Sequence, residues 1–431
     1  MGISRTEIMP GVSLAFLHSD KFKTACMSIN LVTQLQRKTA SMNALIPYVL
    51  RRGTSIHPDM NALSRRMNEL YGTAIEPVVR RIGEIQCTGF YASFPESDFL
   101  PGEEDILSRT IELMCQLLLA PATRGGLLLT DYVDSEREKM LDAIRSRVND
   151  KRSYALIRCC EEMCCCEDYA VGRFGVESEC EGIHYRRLTH HYHDILQTSP
   201  IEIFYCGRGE EGRVVSVLRD ALRSLPRAEI NYDIGTDVRM NSLEDGPRFV
   251  EERMDVSQGK LVMGFRLGEI MEDPDIAALY VFNSIYGGSS SSKLFKNVRE
   301  RLQLCYYASS LIEIHKGLLL VSAGIDPDKL EETRDEILAQ LEEMKKGNIS
   351  DDELRWAKSG VASALRSSMD SQGELEGFYL SQTLSGLDYG PLELAALAED
   401  VSREDVIAVA KSVECDLIYF LRAEENKDGE N

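Results

Sequence analysis

An internal repeat is the feature that most constrains the fold of this chain, because the same order of elements occurs in both halves. Alternating apolar residues predict strands and apolar residues at helical spacing predict helices, in the order strand, helix, helix, strand. In the first half these segments are Cys26 to Val32, Ser41 to Arg51, Leu63 to Leu70 and Cys87 to Phe94. In the second half they are Lys260 to Arg266, Pro274 to Ile285, Lys293 to Arg301 and Gly317 to Ala323.

A constant shift along the sequence aligns the two halves. It places Met67 to Glu69 on Val298 to Glu300, and it also places Gly89 to Ala92 on Leu320 to Ala323. A solenoid needs many units of about 20 to 50 residues, whereas this chain has one repeat of roughly 200 residues. The repeat therefore predicts two related globular lobes, and 431 residues are enough for two cores.

The boundary between the lobes is predicted in a polar, acidic stretch. Ala228 to Pro247 has neither helical nor alternating periodicity, which is typical of a linker. We therefore expect an N-terminal lobe over 1–227, a linker over 228–247 and a C-terminal lobe over 248–431.

Charge and composition exclude several classes of partner. The formal net charge of −21 would repel nucleic acid, whose binders normally carry a basic surface. No apolar run reaches the roughly 18 residues that a membrane span needs, and no export signal is recognisable at the start of the sequence. The 12 cysteines are therefore expected to be reduced thiols, and we predict a cytoplasmic protein that binds neither nucleic acid nor membrane.

One predicted helix carries a family resemblance. It ends in Leu50-Arg51-Arg52-Gly53-Thr54, with Gly53 as a typical C-terminal cap. This ending resembles that of the zinc-motif helix in the pitrilysin and insulinase family of metallopeptidases, where H-x-x-E-H comes before a similar apolar, basic, Gly-Thr run. In that motif the two histidines bind zinc and the glutamate activates the zinc-bound water.

The zinc-site positions of the family are degenerate in this sequence. Counted back from Gly53, the His, Glu and His positions fall on Ala44, Pro47 and Tyr48, none of which is a good zinc ligand or base at neutral pH. The third ligand of the family follows a charged run that begins here at Ser135, and it falls on Ala143. The resemblance therefore implies an inactive member that binds no zinc of its own.

The second half carries another signature of the same family. Tyr286 to Phe295 is a glycine- and serine-rich loop entering a helix, and Arg299 and Tyr306 follow it. By resemblance, these two side chains would reach a zinc site on a partner lobe, where they hydrogen-bond substrate backbone and the developing oxyanion. Gln303 stands where the family has a glycine. From the residues alone, Arg299 in a surface ion pair and Tyr306 as a half-buried strand residue are the simpler interpretation.

Two clusters of metal-ligand residue types need separate explanations. Cys159, Cys160, Cys164, Cys165 and Cys166 lie close together, with Cys180 beyond, but they lack the paired C-x-x-C spacing of structural zinc sites. Burial as small apolar residues is favoured over metal or redox chemistry. The second cluster consists of His190, His191 and His193, which are expected to be exposed imidazoles rather than ligands.

The resemblance implies an α+β fold of two homologous lobes, each a mostly antiparallel sheet backed by helices, as in mitochondrial processing peptidase-like metallohydrolases. We predict a chain that is inactive alone, holds no cofactor, and completes the peptide-binding chamber of a zinc-bearing homologous subunit. Its substrate would be an extended peptide, added as a strand to a sheet edge. The alternatives are a purely structural scaffold or peptide-binding protein derived from the family, and a thiol metal or redox protein.

Overall fold

The computed structural model describes residues 2–102, 104–242, 244, 246–272 and 275–424. Over these residues the chain forms two compact units. Unit 1 comprises the described residues of Met1–Arg145, Val171–Gly235 and Met369–Gly390. Unit 2 comprises those of Ser146–Ala170, Thr236–Ser368 and Pro391–Asn431.

The strands, numbered along the chain, belong to one main sheet in each unit and to one short hairpin in unit 1. They are β1 (Ser4–Met9), β2 (Val12–His18), β3 (Thr24–Gln34), β4 (Ala74–Ile82), β5 (Ile85–Pro95), β6 (Thr123–Arg124), β7 (Leu127–Leu128), β8 (Ile201–Gly207), β9 (Arg248–Met254), β10 (Gly259–Arg266), β11 (Cys305–Glu313), β12 (Leu318–Ile325) and β13 (Glu414–Ala423).

The α-helices are numbered in the same way. They are α1 (Ala40–Leu50), α2 (Met60–Glu69), α3 (Ile106–Leu119), α4 (Thr130–Arg145), α5 (Lys151–Met163), α6 (Glu177–Glu181), α7 (Tyr185–Thr198), α8 (Glu211–Ala221), α9 (Ile276–Asn283), α10 (Leu330–Lys345), α11 (Asp351–Ser368), α12 (Gln372–Ser385), α13 (Pro391–Asp400) and α14 (Arg403–Ser412). The predicted helix Pro274 to Ile285 begins at a position outside the described residues; α9 lies within it.

The two main sheets share one topology, apart from the additional edge strand β1 in unit 1. In unit 1 the order is β1-β2-β8-β3-β5-β4, and in unit 2 it is β11-β12-β10-β13-β9. In each sheet one pair is parallel, β2 with β8 and β9 with β13, while the other pairs are antiparallel. The constant shift that places Met67 on Val298 also places the first and last residues of β4 on those of β11. The predicted α+β fold of two homologous, mostly antiparallel lobes is confirmed.

Each sheet is covered on one face by a helix from the other half of the sequence. Helix α5 packs on β10 and β13 in unit 2, and helix α12 packs on β3 and β8 in unit 1. The predicted continuous lobes, 1–227 and 248–431, did not include this exchange. The chain also passes from unit 1 to unit 2 between Gly235 and Thr236, inside the predicted linker, whose described residues hold neither helix nor strand.

A half-buried carboxyl group lies under α12 in unit 1. Glu202 of β8 is the cross-strand partner of Asn30, and both line a small cavity together with Thr383 of α12. The Oδ1 atom of Asn30 is buried without a hydrogen-bond partner. Burial raises the pKa of Glu202 to about 7, and the charge of Arg5 only partly opposes this rise. The folded state therefore favours the protonated form.

We expect Glu202→Gln to stabilise the protein at pH 8 by about 1 to 3 kcal/mol and to have little effect at pH 4. A carboxyl whose pKa is raised by folding costs stability as pH rises from its unfolded value, near 4.3, through its folded value. The amide avoids that cost. Urea unfolding at both pH values tests this, with Glu7→Gln on the exposed face of β1 as the control. An equal difference at the two pH values would contradict it.

Candidate functional site

The degenerate zinc-site positions lie on two helices of unit 1. Ala44 and Pro47 are buried within α1, and Tyr48 is half-buried beside Phe174. Burial raises the pKa of Tyr48, so its phenol is neutral at physiological pH. Pro47 has no N–H and cannot donate to the carbonyl of Asn43, the bond that would normally form in this turn.

The other predicted ligand position is on α4, which packs against α1. Ala143 is exposed there, and its side chain offers no lone pair to a metal. The buried carboxylate of this helix is that of Glu136, which accepts from Arg52 at 2.8 Å and from Lys139 at 2.7 Å. That carboxylate is thus neutralised by two cations.

The residues present do not fit a zinc ion. Neither Ala44 nor Pro47 has a side-chain donor atom, and Tyr48 is a neutral phenol. Within the described part of the chain, no group of three or more His, Cys, Asp and Glu side chains is arranged to hold a metal. No reaction step through zinc can be derived for this chain.

A buried amide network lies next to the degenerate positions and was missed from sequence. Asn43 donates to Gln86 at 3.0 Å and to Thr33 at 3.1 Å, and its Oδ1 lies 2.6 Å from Nε2 of His191. His190 and His193 are exposed, as expected, but His191 is partly buried, and burial lowers its pKa. The neutral ring holds α7 against α1 through this hydrogen bond.

The second signature lies in unit 2. Ser284–Gly288 and Leu294–Arg301 form π-helical segments around the serine-rich loop, and the second segment carries Arg299. Segments of this type are rare and frequently occur at functional sites. The Arg299 guanidinium is exposed, lies over the Phe295 ring at 4.6 Å, and donates from Nε to the carbonyl of Tyr306 at 3.0 Å.

The turn between Arg299 and Tyr306 is strained. Gln303 has φ of +52°, the left-handed region that favours glycine. The family resemblance predicts a glycine at this position, and a non-glycine residue in this conformation carries a backbone cost of about 1 to 2 kcal/mol. The turn keeps the conformation that a glycine would adopt.

Tyr306 is turned outward by a β-bulge. The register of β11 with β12 shifts between Cys305 and Tyr307, so Tyr306 is the extra residue, whereas the equivalent pairing of β4 with β5 has no such shift. Bulges redirect side chains and are common beside active sites. Tyr306 is 63% exposed, and its hydroxyl donates to Asp326 at 3.4 Å. The structure thus brings Arg299 and Tyr306 together. Nothing in the sequence indicated that Asp326 accepts a hydrogen bond from Tyr306.

The clustered cysteines divide into two groups. Cys159, Cys160 and Cys164 are buried in unit 2 and Cys180 in unit 1, whereas Cys165 and Cys166 are exposed. Burial raises the pKa of the Cys164 thiol to about 12 and that of Cys180 to about 11, so both are neutral thiols. The buried members pack as small apolar side chains.

The geometry defines a two-lobed peptidase fold without its zinc ligands, and comparison with known proteins agrees. Residues 182–361 match the family model for the peptidase M16 inactive domain. The chain is 30% identical over 419 residues to the probable inactive metalloprotease YmfF of Bacillus subtilis, covering 96% of both chains. This chain belongs to the M16 metallopeptidase family, as an inactive member.

Solved structures show the same fold. A conserved protein from Enterococcus faecalis V583 superposes with a TM-score of 0.88 at 25% identity, covering 99% of this chain and 100% of that one. A peptidase M16 inactive domain from Pseudomonas fluorescens gives 0.80 at 15% identity, with 99% of each chain covered. Among the described residues, no helix is long and apolar enough to cross a lipid bilayer.

Proposed function

We propose that this chain is the zinc-less subunit of a heterodimeric metallopeptidase and that it supplies Arg299 and Tyr306 to the zinc site of a homologous partner. The observation that carries the proposal is the pairing of these two exposed side chains at a bulge, in a family member whose own zinc positions are empty of ligands. The partner provides zinc and the general base.

The donors have the chemistry that peptide cleavage requires. Arg299 uses Nε for the Tyr306 carbonyl, and no ion pair engages its guanidinium among the described residues, which leaves Nη donors for a peptide carbonyl. The Tyr306 hydroxyl can donate to the oxygen that becomes negative as the peptide carbonyl is attacked. Asp326 accepts from that hydroxyl in the resting state and so holds the ring in position.

An extended peptide is the substrate that fits this edge of the sheet. Strand β11 is the outermost strand of the unit 2 sheet, and Tyr306 lies near its start. Unpaired backbone groups on an edge strand can accept a peptide as an added strand. The bulge ends regular pairing next to Tyr306, which sets the side chain beside the position of a bound peptide.

Mixing the chain with its zinc-bearing homologue tests the proposal. We expect the two purified chains, with intact H-x-x-E-H in the homologue, to cleave fluorogenic peptides when combined in equal amounts and to show less than about 1% of that activity when assayed alone. The physical reason is that zinc with its base and the oxyanion donors lie on different chains.

An unrelated acidic protein of similar size serves as the control for stabilisation by added protein. Full activity of the homologue alone, unchanged on mixing, would contradict the proposal, as would zinc-dependent cleavage by this chain alone.

A further inference from the structure

Two adjacent exposed thiols follow α5 in unit 2. Cys165 and Cys166 lie in the turn between α5 and Glu167, and their Sγ atoms are 3.8 Å apart. Their exposure sets them apart from the other cysteines of this cluster, which are buried. Burial as apolar residues therefore does not explain these two positions.

The backbone that carries the pair is held at both ends. The N–H of Cys164 donates to the carbonyl of Cys160 at 2.9 Å, and the N–H of Glu167 donates to the carbonyl of Cys164 at 2.8 Å. Arg239 donates to the carbonyl of Cys166 at 3.3 Å. The Glu167 side chain is fixed in the core by an ion pair with Arg266. Both thiols are thus presented to solvent from an ordered turn, which lowers the entropic cost of using them together.

The spacing suits a shared metal ion better than a disulfide. Adjacent Cα atoms lie about 3.8 Å apart, below the 4.4 Å to 6.8 Å of ordinary disulfides, so oxidation to a disulfide would be strained. Two thiolates on one tetrahedral zinc, each at about 2.3 Å, are separated by roughly 3.8 Å. The sulfur atoms already have that separation.

We propose that Cys165 and Cys166 together bind one thiophilic divalent cation, such as Zn²⁺, as a pair of thiolates. Each thiol releases one proton as its sulfur–metal bond forms, so two protons leave for each cation bound. No third His, Cys, Asp or Glu ligand completes a group within the described residues, so water fills the remaining positions. An open site of this kind exchanges metal readily, unlike a closed four-ligand structural site.

The proton balance makes binding depend on pH. A free thiol is mostly protonated near neutrality, so protons compete with the metal for both sulfur atoms. The apparent affinity is expected to rise with pH, by up to about 100-fold per pH unit when both thiols are protonated beforehand.

Titration of the metal-free full chain with Cd²⁺, in a non-thiol reductant, tests the site through the ultraviolet charge-transfer band of cadmium thiolates. We expect saturation at one Cd²⁺ per chain, competition by Zn²⁺, a loss of about 100-fold in affinity for either Cys165→Ser or Cys166→Ser, and no band for the double variant. Both positions are exposed, so the variants should keep the wild-type circular dichroism spectrum.

Cys180→Ser, which removes a buried thiol of unit 1, is the matched control and should bind as wild type does. A band that persists in the double variant, a band that disappears in the control, or an affinity independent of pH would overturn the proposal.

Discussion

Glu167→Gln is expected to lower the free energy of unfolding by about 3 to 5 kcal/mol, measured by urea unfolding at pH 7. The Glu167 carboxylate accepts from Arg266 at 2.6 Å and from Lys316 at 2.7 Å, and all three side chains are almost completely buried. Replacing the carboxylate with a neutral amide leaves two buried cations with too little compensating charge. Removal of one member of a buried ion pair is among the costliest single changes in a protein.

The network around Glu167 connects distant parts of the unit 2 sequence. Arg266 at the end of β10 also donates to Asp416 of β13 at 2.9 Å, and Lys316 donates to the carbonyl of Asp237. Glu167 itself comes from the segment that the first half contributes to this unit. The ion pairs therefore fasten that segment to the sheet, and the variant should loosen it first.

The contribution of Glu167 to the free energy of unfolding decreases as the pH falls. Burial by itself would raise the pKa of Glu167, but the hydrogen bonds from Arg266 and Lys316 outweigh it and lower the pKa below its usual value. A lowered folded-state pKa gives stability that is present above the unfolded value, near 4.3, and is lost as pH falls through the folded value. The difference between wild type and Glu167→Gln should therefore shrink in acid.

Glu332→Gln is the control, since Glu332 forms an exposed ion pair with Lys329 and its loss should change stability by less than about 0.5 kcal/mol. A change below about 1 kcal/mol for Glu167→Gln would show that the buried charges are compensated in another way.

The sequence was sufficient for the duplicated fold because each lobe is specified by local periodicity and by one constant shift. It was insufficient for the exchange of α5 and α12, since an amphipathic pattern states that a helix has an apolar face but not which sheet that face covers. Glu167 and Arg266 were missed for a related reason: charged residues are normally exposed, and nothing local marks the few that are buried together.

The candidate site was predicted unevenly for similar reasons. Ala44, Pro47, Tyr48 and Ala143 were located by resemblance to the family's motifs, and the lack of a good zinc ligand at these positions follows from residue identity alone. The bulge at Tyr306 depends on the register of β11 against β12, which the sequence of one strand does not determine. Gln303, at a position where the resemblance predicts a glycine, was a local sign of the left-handed backbone that the structure has at this turn.

In the proposed complex with a zinc-bearing homologue, Arg299→Ala and Tyr306→Phe are each expected to reduce kcat/KM by about 100- to 1,000-fold, the usual effect of deleting one oxyanion donor. The Tyr306→Phe loss should appear mainly in kcat, because the phenolic donor acts on charge that develops during the reaction. Arg299→Ala should also raise KM, since its guanidinium would hold the peptide before attack.

Exposed residues of the same types provide matched controls. Arg301 lies on the same π-helical segment as Arg299 and pairs with Glu336, and Arg301→Ala removes its charge. Tyr232→Phe removes a hydroxyl from a side chain that is 68% exposed. Both should leave peptidase activity within about twofold of wild type, because exposed single substitutions away from a site rarely have larger effects.

Assembly distinguishes direct participation from a scaffold role. If Arg299→Ala and Tyr306→Phe still elute with the homologue on size-exclusion chromatography but lose activity, the two side chains act in the shared site. If the double variant assembles and remains fully active, the chain is a scaffold, and the hydrogen bonds of Arg299 to the Tyr306 carbonyl and of Tyr306 to Asp326 only fix the local turn. Because both donors would act on one bound peptide, the double variant should lose less than the product of the single losses.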